Sequence, residues 1–332
     1  MAFQVLITDH AWPSLEIEQQ VLASAGAQLI VAETGAESEL VQLAPAADAI
    51  LTNWKPVTPA VLDAARRCML VSRYGIGLDN IAVEHATRLG ILVTNVPDFC
   101  LEEVSDHAMA LLLACARRVV QFARATRQGQ WGLNPRPPLP RLRGQTLGLV
   151  GYGNIARALV PKALGLGLRI IAYTPHIAAD ALSPFGQATN DLDCLLRQSD
   201  YVSIHVPLTA TTRSLIDARA LRQMKPTAFL INTSRGAIID EAALYQALTE
   251  GWIAGAGLDV LIQEPAKANP LLALENVIVT PHVAFYSEVA IAELEQKAAE
   301  HVAQVLRGEI PTNIVNPAVT QQPNYRLGAF RK

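Results

Sequence analysis

The chain alternates, twice over, between short apolar runs of strand length and longer stretches with helical periodicity. In the first hundred residues, helical stretches such as 13–26 and 59–67 separate five strand-like runs: FQVLITD, AQLIVAE, ADAILTN, MLVSRY and ILVTN. Later, helical stretches such as 155–165 and 240–251 lie among six more: TLGLVGY, RIIAYT, YVSIHV, AFLINTS, AGAGLDV and NVIVTP. Strands that alternate with helices form βαβ units, so the sequence predicts an α/β fold with mostly parallel sheets. Six strands with crossover helices predict that the later half is doubly wound.

Four other segments complete this organisation. A helix predicted after Pro97 carries apolar residues on more than one face, which is typical of a helix buried between domains, or of a dimer interface. The Pro- and Arg-rich residues 134–143 predict a connector without regular structure. A last helix is predicted over residues 287–307. The tail from Thr320 has no periodicity, so an arm on a neighbouring subunit and a loose end both stay open.

Length and composition exclude several classes of protein. At roughly 150 residues per domain, 332 residues predict two domains. The formal net charge of −3 argues against a nucleic-acid-binding surface, which needs a basic excess. The four cysteines are widely spaced, which argues against both a disulfide framework and a zinc site. The start, MAFQVLITDH, does not resemble a signal peptide, and the longest apolar run, AMALLLACA, is too short for a bilayer, so we expect a cytoplasmic protein without a membrane partner.

A glycine-rich turn carries the first sign of chemistry. Gly151-Tyr-Gly153-Asn-Ile-Ala156 follows the run TLGLV and precedes a predicted helix. The first glycine permits a tight turn, the second lets the backbone approach a pyrophosphate, and Ala156 allows close packing of helix on strand. The helix N-terminus would bind the anion. The motif in this context predicts a dinucleotide site, although a tight turn without a ligand has the same pattern.

The position that usually selects between NAD and NADP carries neither expected residue. About twenty residues beyond the glycines, an NAD site offers a carboxylate to the adenosine ribose. Here Thr174 holds that place, and no arginine follows it directly to bind a 2′-phosphate, although His176 could contribute. The sequence therefore predicts NAD or NADP without choosing between them.

Three ionisable residues follow later strands, at the edge where open α/β sheets bind ligands. Arg235 follows FLINTS, Glu264 lies in the loop after AGAGLDV, and His282 follows NVIVTP. Singly, each is equally typical of a surface ion pair, a turn or a polar loop residue. Together they offer a two-pronged cation, a titratable imidazole and a carboxylate to orient it, which a keto-acid reductase needs.

These residues resemble those of the D-isomer-specific 2-hydroxyacid dehydrogenase family. Besides the glycine turn, the resemblance rests on Ser234-Arg235-Gly236, Asp259, Glu264-Pro265 and Pro281-His282, and it extends from about Val5 to Pro317. The segments SRYGIGLDNI and Asn95-Val-Pro97 resemble the family's substrate-domain signatures. Further segments resemble its carboxy-terminal-binding-protein branch: residues 141–144, 281–288 and 310–311.

The resemblance implies a split architecture with a Rossmann-type cofactor domain inserted into a flavodoxin-like substrate domain. We place the first part of the substrate domain at residues 1–100 and the cofactor domain at 101–285. The closing helix of the substrate domain is expected at 286–318, with a tail at 319–332. Both domains would be doubly wound, and a homodimer is expected.

Carried across position by position, the resemblance also implies site residues. Arg235 would bind the carboxylate and carbonyl of a 2-keto or 2-hydroxy acid, and His282, hydrogen-bonded to Glu264, would donate the proton. Backbone N–H groups of Ile76 and Gly77 would hold the substrate carboxylate. Asp259 would meet the nicotinamide carboxamide. Other cofactor contacts are expected from Gly151, Gly153, Asn154, Ile155, Thr174, His205, Val206, Pro207, Thr212 and Thr233. Two of these depart from the family pattern: Thr174 replaces an acid, and Asn154 stands where arginine is common.

The sequence leaves several interpretations of function open. The leading one is an NAD(P)-dependent reductase of a small 2-keto acid, and the second is a dinucleotide-sensing interaction protein similar to corepressors of the same branch. Glu264 in place of glutamine disfavours a formate dehydrogenase, and Ile76 in place of lysine disfavours phosphite oxidation. A phosphoglycerate enzyme is disfavoured because no regulatory domain fits the remaining length. Trp54 and Phe285 would line the substrate pocket or only pack in a core or lid; as lining they favour an apolar substrate over a phosphorylated one.

Overall fold

The computed structural model describes residues 2–132, 139–174 and 182–330. Half of the predicted connector, residues 134–138, therefore lies outside the described residues, as do Pro175 and His176. The chain divides into two compact units, of which the first comprises Met1–Phe99 and Ser287–Lys332 and the second comprises Cys100–Tyr286. Each unit contains one parallel sheet, which confirms the predicted α/β class.

The first unit has a five-stranded sheet in the order β2-β1-β3-β4-β5, with every neighbouring pair parallel. This is the flavodoxin-like order that the resemblance implies. Its strands are β1 (Phe3–Ile7), β2 (Ala27–Val31), β3 (Ala49–Thr52), β4 (Leu70–Arg73) and β5 (Leu92–Thr94). Its helices are α1 (Glu16–Ala23), α2 (Glu37–Leu43), α3 (Pro59–Ala64), α4 (Val83–Arg88), α11 (Glu288–Leu306) and α12 (Arg326–Phe330). The central strands β3 and β4 are buried along their whole length, as is typical of strands inside a parallel sheet.

The second unit has a seven-stranded parallel sheet in the order β12-β11-β10-β9-β6-β7-β8. Its strands are β6 (Thr146–Val150), β7 (Arg169–Tyr173), β8 (Gln187–Thr189), β9 (Tyr201–Ile204), β10 (Phe229–Asn232), β11 (Gly255–Leu258) and β12 (Val277–Val279). Its helices are α5 (Leu101–Arg117), α6 (Val119–Arg127), α7 (Asn154–Gly165), α8 (Leu192–Gln198), α9 (Ala218–Gln223) and α10 (Glu241–Thr249). Chain order reverses between β6 and β9, as in the Rossmann fold, and the loop after β6 carries the glycines.

Two details of the second unit correct the sequence-based expectation. The sheet has seven strands and not six, because the three residues of β8 form an additional edge strand beside β7. So short a run gives no periodic signal, and pairing with β7 alone defines it. The helix expected after Pro97 is broken at Arg118, whose φ of 50° lies in the left-handed region. Apolar residues of α5 pack on α7 in the core of this unit, and a dimer interface on α5 stays a prediction.

The described part of the tail packs on the first unit of its own chain, so it is neither a loose end nor an arm on a neighbour. Residues Pro317–Gln321 form a 3-10 helix, and α12 follows. The Arg326 guanidinium donates to the carbonyls of Ala65, Cys68 and Leu89 at 2.6, 2.8 and 3.0 Å. Leu327 is fully buried. The tail thereby satisfies carbonyl groups at the ends of α3 and α4.

No helix in the three described ranges is both long and apolar enough to cross a membrane. All four cysteines are free thiols, and three of them are buried.

A pair of buried carboxyl groups lies in the first unit. Glu18 on α1 accepts hydrogen bonds from Trp12 Nε1 at 3.2 Å and from the Tyr74 hydroxyl at 2.9 Å. Burial raises the pKa of Glu18. Burial, together with the charge of Glu18, raises the pKa of Glu295 on α11 to about 7. Since the unfolded chain titrates near 4.5, the folded state binds more protons between pH 4.5 and 7, and its stability falls as pH rises through that window.

We therefore expect Glu295→Gln to remove this pH dependence. Between pH 5 and pH 8, the wild-type protein should lose about 2 kcal/mol of unfolding free energy relative to the variant. Urea unfolding at both pH values measures the difference. Glu300→Gln, an exposed change on the same helix, is the matched control and should parallel the wild type. Equal pH dependence of wild type and Glu295→Gln would contradict the raised pKa.

Candidate active site

The glycine turn after β6 has the geometry of an anion-binding loop. Gly151 has a φ of 100°, and a Cβ there would lie 2.8 Å from Val206 and 2.9 Å from the backbone of His205, so only glycine fits. A Cβ at Gly153 would meet nothing within 4 Å, which leaves space in front of the backbone. No side chain caps the N-terminus of α7, where Asn154 and Ile155 lie. Its first N–H groups can therefore bind the pyrophosphate of a dinucleotide.

Thr233 gives the second indication that a dinucleotide fits. Its Oγ1 is buried and has no hydrogen-bond partner in the protein. Buried hydroxyl groups rarely lack partners, so the atom is suited to a ligand group. Thr233 directly follows β10, at the same sheet edge as the glycine turn.

The other predicted cofactor residues lie around the end of β9. The His205 ring bonds Ser203 Oγ through Nε2 at 2.8 Å, and burial lowers its pKa to about 4, so the ring is neutral near pH 7. Thr212 Oγ1 donates to the Pro207 carbonyl at 2.6 Å, which makes Pro207 and Thr212 parts of one turn. The His205 side chain is therefore engaged within its own strand, and its backbone faces Gly151.

Thr174 follows β7 beside the glycine turn. Its N–H donates to the Thr189 carbonyl at 3.0 Å, and the preceding residue, Tyr173, accepts from the Gly151 N–H at 3.0 Å. Thr174 thus directly follows Tyr173, the last residue of β7, which contacts the turn. In Rossmann folds the side chain that binds the ribose comes from this position.

Arg235 is held by a rigid loop after β10. Asn232, which is fully buried, donates through Nδ2 to the Arg235 carbonyl at 2.9 Å and accepts the Ser234 N–H at 2.9 Å. A Cβ at Gly236 would lie 2.0 Å from the Leu261 backbone, so this loop packs directly on the loop that contains Glu264. Arg235 is half-buried, and its charge acts on Glu264.

Glu264 and His282 are in direct contact. Glu264 Oε2 lies 2.7 Å from His282 Nδ1, and Glu264 Oε1 accepts the Leu261 N–H at 2.9 Å. Burial raises the pKa of Glu264, but the His282 contact, the Leu261 bond and the charge of Arg235 together outweigh burial and lower it. The carboxylate is therefore ionised near neutral pH. The second unit thus brings together all three residues of the Arg–Glu–His cluster (Arg235, Glu264 and His282).

Asp259 lies among the backbone of the loop that carries His282. It is 1% exposed; its Oδ1 accepts the Thr280 hydroxyl and the Val283 N–H, and its Oδ2 accepts the Ala284 N–H. Its expected contact with the nicotinamide stays a prediction. Its role in holding the backbone of this loop was not predicted from the sequence. Asp259 and Thr280 each directly follow a strand of the sheet, but they lie 21 residues apart, so no single segment of the sequence shows their contact.

The predicted substrate-pocket residues are divided between the units. Phe285, in the second unit, lies edge-on to the His282 ring with 6.3 Å between ring centroids. Trp54, Ile76 and Gly77 lie in the first unit. The Trp54 N–H donates to Asp9 at 2.8 Å, the Ile76 carbonyl accepts from Asn95 at 2.8 Å, and Trp54 is 49% exposed. Their contacts with a substrate stay predictions.

Comparisons with known proteins show the family of the chain. The family model for "D-isomer specific 2-hydroxyacid dehydrogenase, NAD binding domain" matches residues 109–284. A glyoxylate reductase of Korarchaeum cryptofilum is 45% identical over 270 residues, which cover 80% of this chain and 81% of that protein. The names of these proteins do not test the predicted branch within the family.

Two solved structures have the same fold. An NADPH-dependent glyoxylate/hydroxypyruvate reductase from Sinorhizobium meliloti, in complex with NADP and malonate, has a TM-score of 0.87 at 30% identity and covers 96% of this chain and 98% of its own. A D-lactate dehydrogenase from Aquifex aeolicus, complexed with NAD and lactic acid, has a TM-score of 0.86 at 26% identity and covers 94% and 98%.

Proposed function

Because this chain belongs to the D-isomer-specific 2-hydroxyacid dehydrogenase family and is an NAD(P)-dependent oxidoreductase, we propose that it reduces a small 2-keto acid to the D-2-hydroxy acid. The observation that carries the proposal is the 2.7 Å contact between Glu264 and His282, beside Arg235 at the carboxyl edge of the sheet. A cation, a proton donor and an orienting carboxylate are the groups that carbonyl reduction requires.

In this mechanism the Arg235 guanidinium binds the carboxylate and the carbonyl oxygen of the substrate through its two-pronged face. Negative charge develops on that oxygen as the carbonyl is reduced, and the guanidinium stabilises it. His282 donates a proton to the oxygen through Nε2, because Nδ1 is engaged by Glu264. Glu264, bonded to Nδ1, fixes the plane of the ring. The cofactor, when bound, supplies the hydride.

The residues that would hold the cofactor are those of the glycine turn and its neighbours. Gly151, Gly153 and the first N–H groups of α7 would bind the pyrophosphate, and Thr233 would supply a hydroxyl group. Thr174 would meet the adenosine ribose.

The substrate is proposed to be a small 2-keto acid such as glyoxylate or hydroxypyruvate. The names of the bacterial and archaeal reductases above support this class. Phe285 beside His282 supports it too, since an aromatic ring near the proton donor limits the volume for a substrate side chain and offers nothing to a phosphate.

A turnover screen tests the proposal. NADH and NADPH should each be assayed with glyoxylate, hydroxypyruvate, pyruvate, phenylpyruvate and 3-phosphohydroxypyruvate. We expect the highest kcat/KM with one of the first two acids. Binding of NADH without turnover of any acid would favour a dinucleotide-sensing interaction protein instead, and best turnover of the phosphorylated acid would refute the substrate class.

The cofactor preference should be modest and changeable at Thr174. A threonine hydroxyl bonds a ribose hydroxyl more weakly than a carboxylate does, and it does not repel a 2′-phosphate. We expect a small preference for NADH, which Thr174→Asp should increase by about tenfold because the new charge repels the phosphate. The measurement is kcat/KM for NADH and NADPH, with Thr174→Ser as the control that keeps the hydroxyl. A wild-type ratio above about a thousandfold in either direction, or an unchanged ratio in the Asp variant, would contradict this assignment.

A further inference from the structure

Asp259 bonds Thr280 and the N–H groups of Val283 and Ala284, and so clamps the loop that carries His282 (residues 280–285). His107 on α5 contacts this clamp. Its Nε2 lies 2.9 Å from Thr280 Oγ1 and 3.5 Å from Asp259 Oδ1. Its side chain is 23% exposed, and the Asp259 side chain is fully buried. α5 is the long helix that packs on α7 and on β10 and β11, so it offers a fixed support for the contact.

The direction of the hydrogen bonds follows from the donor and acceptor capacity of each group. The Thr280 hydroxyl has a single proton and donates it to Asp259 Oδ1. Thr280 Oγ1 must then accept from His107, which requires the proton on Nε2. The chain of bonds runs from His107 to Thr280 to Asp259 and sets where the carboxylate oxygens lie.

Asp259 in turn determines the backbone around His282. Its two oxygens accept the N–H groups of Val283 and Ala284, and its carbonyl accepts the His282 N–H at 2.8 Å. His282 has a φ of 54°, a left-handed conformation that a non-glycine residue adopts only when its surroundings hold it. The direction of the imidazole therefore depends on the clamp as well as on Glu264.

We propose that His107 is a positioning residue for His282, acting through Thr280 and the Asp259 carboxylate without touching the substrate. The proposal rests on the proposed function, in which His282 donates the proton. Without the His107 bond, Thr280 and Asp259 lose their fixed alignment, and the loop can relax away from the strained backbone conformation. Proton donation then slows, while the dinucleotide turn after β6 is unchanged.

The test compares His107→Phe, which keeps a planar ring but no N–H, with the wild type, using NADH and glyoxylate. We expect kcat/KM for glyoxylate to fall at least tenfold. Thr280→Val should reproduce the loss, and Thr280→Ser, which keeps the hydroxyl, should restore most of the activity. His85→Phe removes a similar histidine–carboxylate contact (to Asp63 at 2.7 Å) in the first unit and should have no effect.

A double-mutant cycle with His282→Asn distinguishes positioning from general damage. If His107 acts through His282, His107→Phe should cause less than a twofold further loss in the His282→Asn background. An equal loss in both backgrounds, or wild-type activity of both His107→Phe and Thr280→Val, would overturn the proposal. Full activity of His282→Asn itself would instead refute the proposed function. If His107→Phe does not fold, Thr280→Val and Thr280→Ser, each made in the wild type and in His282→Asn, test the same proposal.

Discussion

Replacing His282 with asparagine should lower kcat/KM for the best 2-keto acid by about a hundredfold to ten-thousandfold, the usual contribution of a positioned general acid. Asparagine retains a polar group near Glu264 but has no transferable proton. The binding of NADH should stay within twofold, because His282 lies on a loop separate from the glycine turn. The measurements are steady-state kinetics and a fluorescence titration of NADH.

Glu264→Gln is a milder substitution to compare with His282→Asn. Glutamine can still bond His282 Nδ1, so the ring keeps its orientation and only the charge is lost. Its rate should therefore fall less than that of His282→Asn. A His282→Asn enzyme within threefold of the wild type, with chemistry shown to limit the rate, would exclude His282 as the proton donor.

Arg235→Lys should cost at least about 2 kcal/mol of transition-state stabilisation, or roughly a thirtyfold fall in kcat/KM. An ammonium group cannot reproduce the planar two-pronged contact with a carboxylate and a carbonyl. Because the contact strengthens as charge develops, kcat should fall as well as KM rise. Kinetics with a series of substrate concentrations separate the two parameters.

Arg219→Lys, on the surface of the second unit, is the matched control for Arg235→Lys. Arg219 contacts both carboxylate oxygens of Asp193 at 2.8 and 2.6 Å, and its side chain is 61% exposed. Arg219→Lys makes the same exchange of guanidinium for ammonium in an exposed ion pair, in which Nη1 makes both bonds, and should leave kcat/KM unchanged, since exposed ion pairs contribute little. If Arg235→Lys turned over as fast as Arg219→Lys, Arg235 would not bind the reacting groups.

The sheet and the Arg–Glu–His cluster were predictable because both depend on local sequence signals. Buried parallel strands such as β3 and β6 are mostly apolar runs, and the three ionisable residues follow strands at the edge where ligands bind. The contact between Glu264 and His282 agrees with the expectation from the resemblance, whereas their roles in catalysis stay proposals.

The features that the sequence did not reveal depend on contacts between distant residues. β8 is too short to show periodicity and exists through its pairing with β7. The clamp joins Asp259 to Thr280, 21 residues later, and to His107 on α5, so no single segment shows the pattern. The break at Arg118 has no glycine or proline to mark it, because the left-handed residue there is an arginine.

The division of the first unit between the two ends of the chain has a consequence for biosynthesis. All residues of the second unit, Cys100–Tyr286, are contiguous, so this unit can fold on the ribosome as soon as it has emerged. The first unit lacks α11 until Ser287 and the residues after it are made, although Ser72 on β4 bonds the Ala298 carbonyl of α11 at 3.1 Å. Residues 1–99 therefore remain without α11 while 187 further residues are translated. During that time the face that α11 will cover stays exposed. Closing so long a loop makes the first unit the slower of the two to complete.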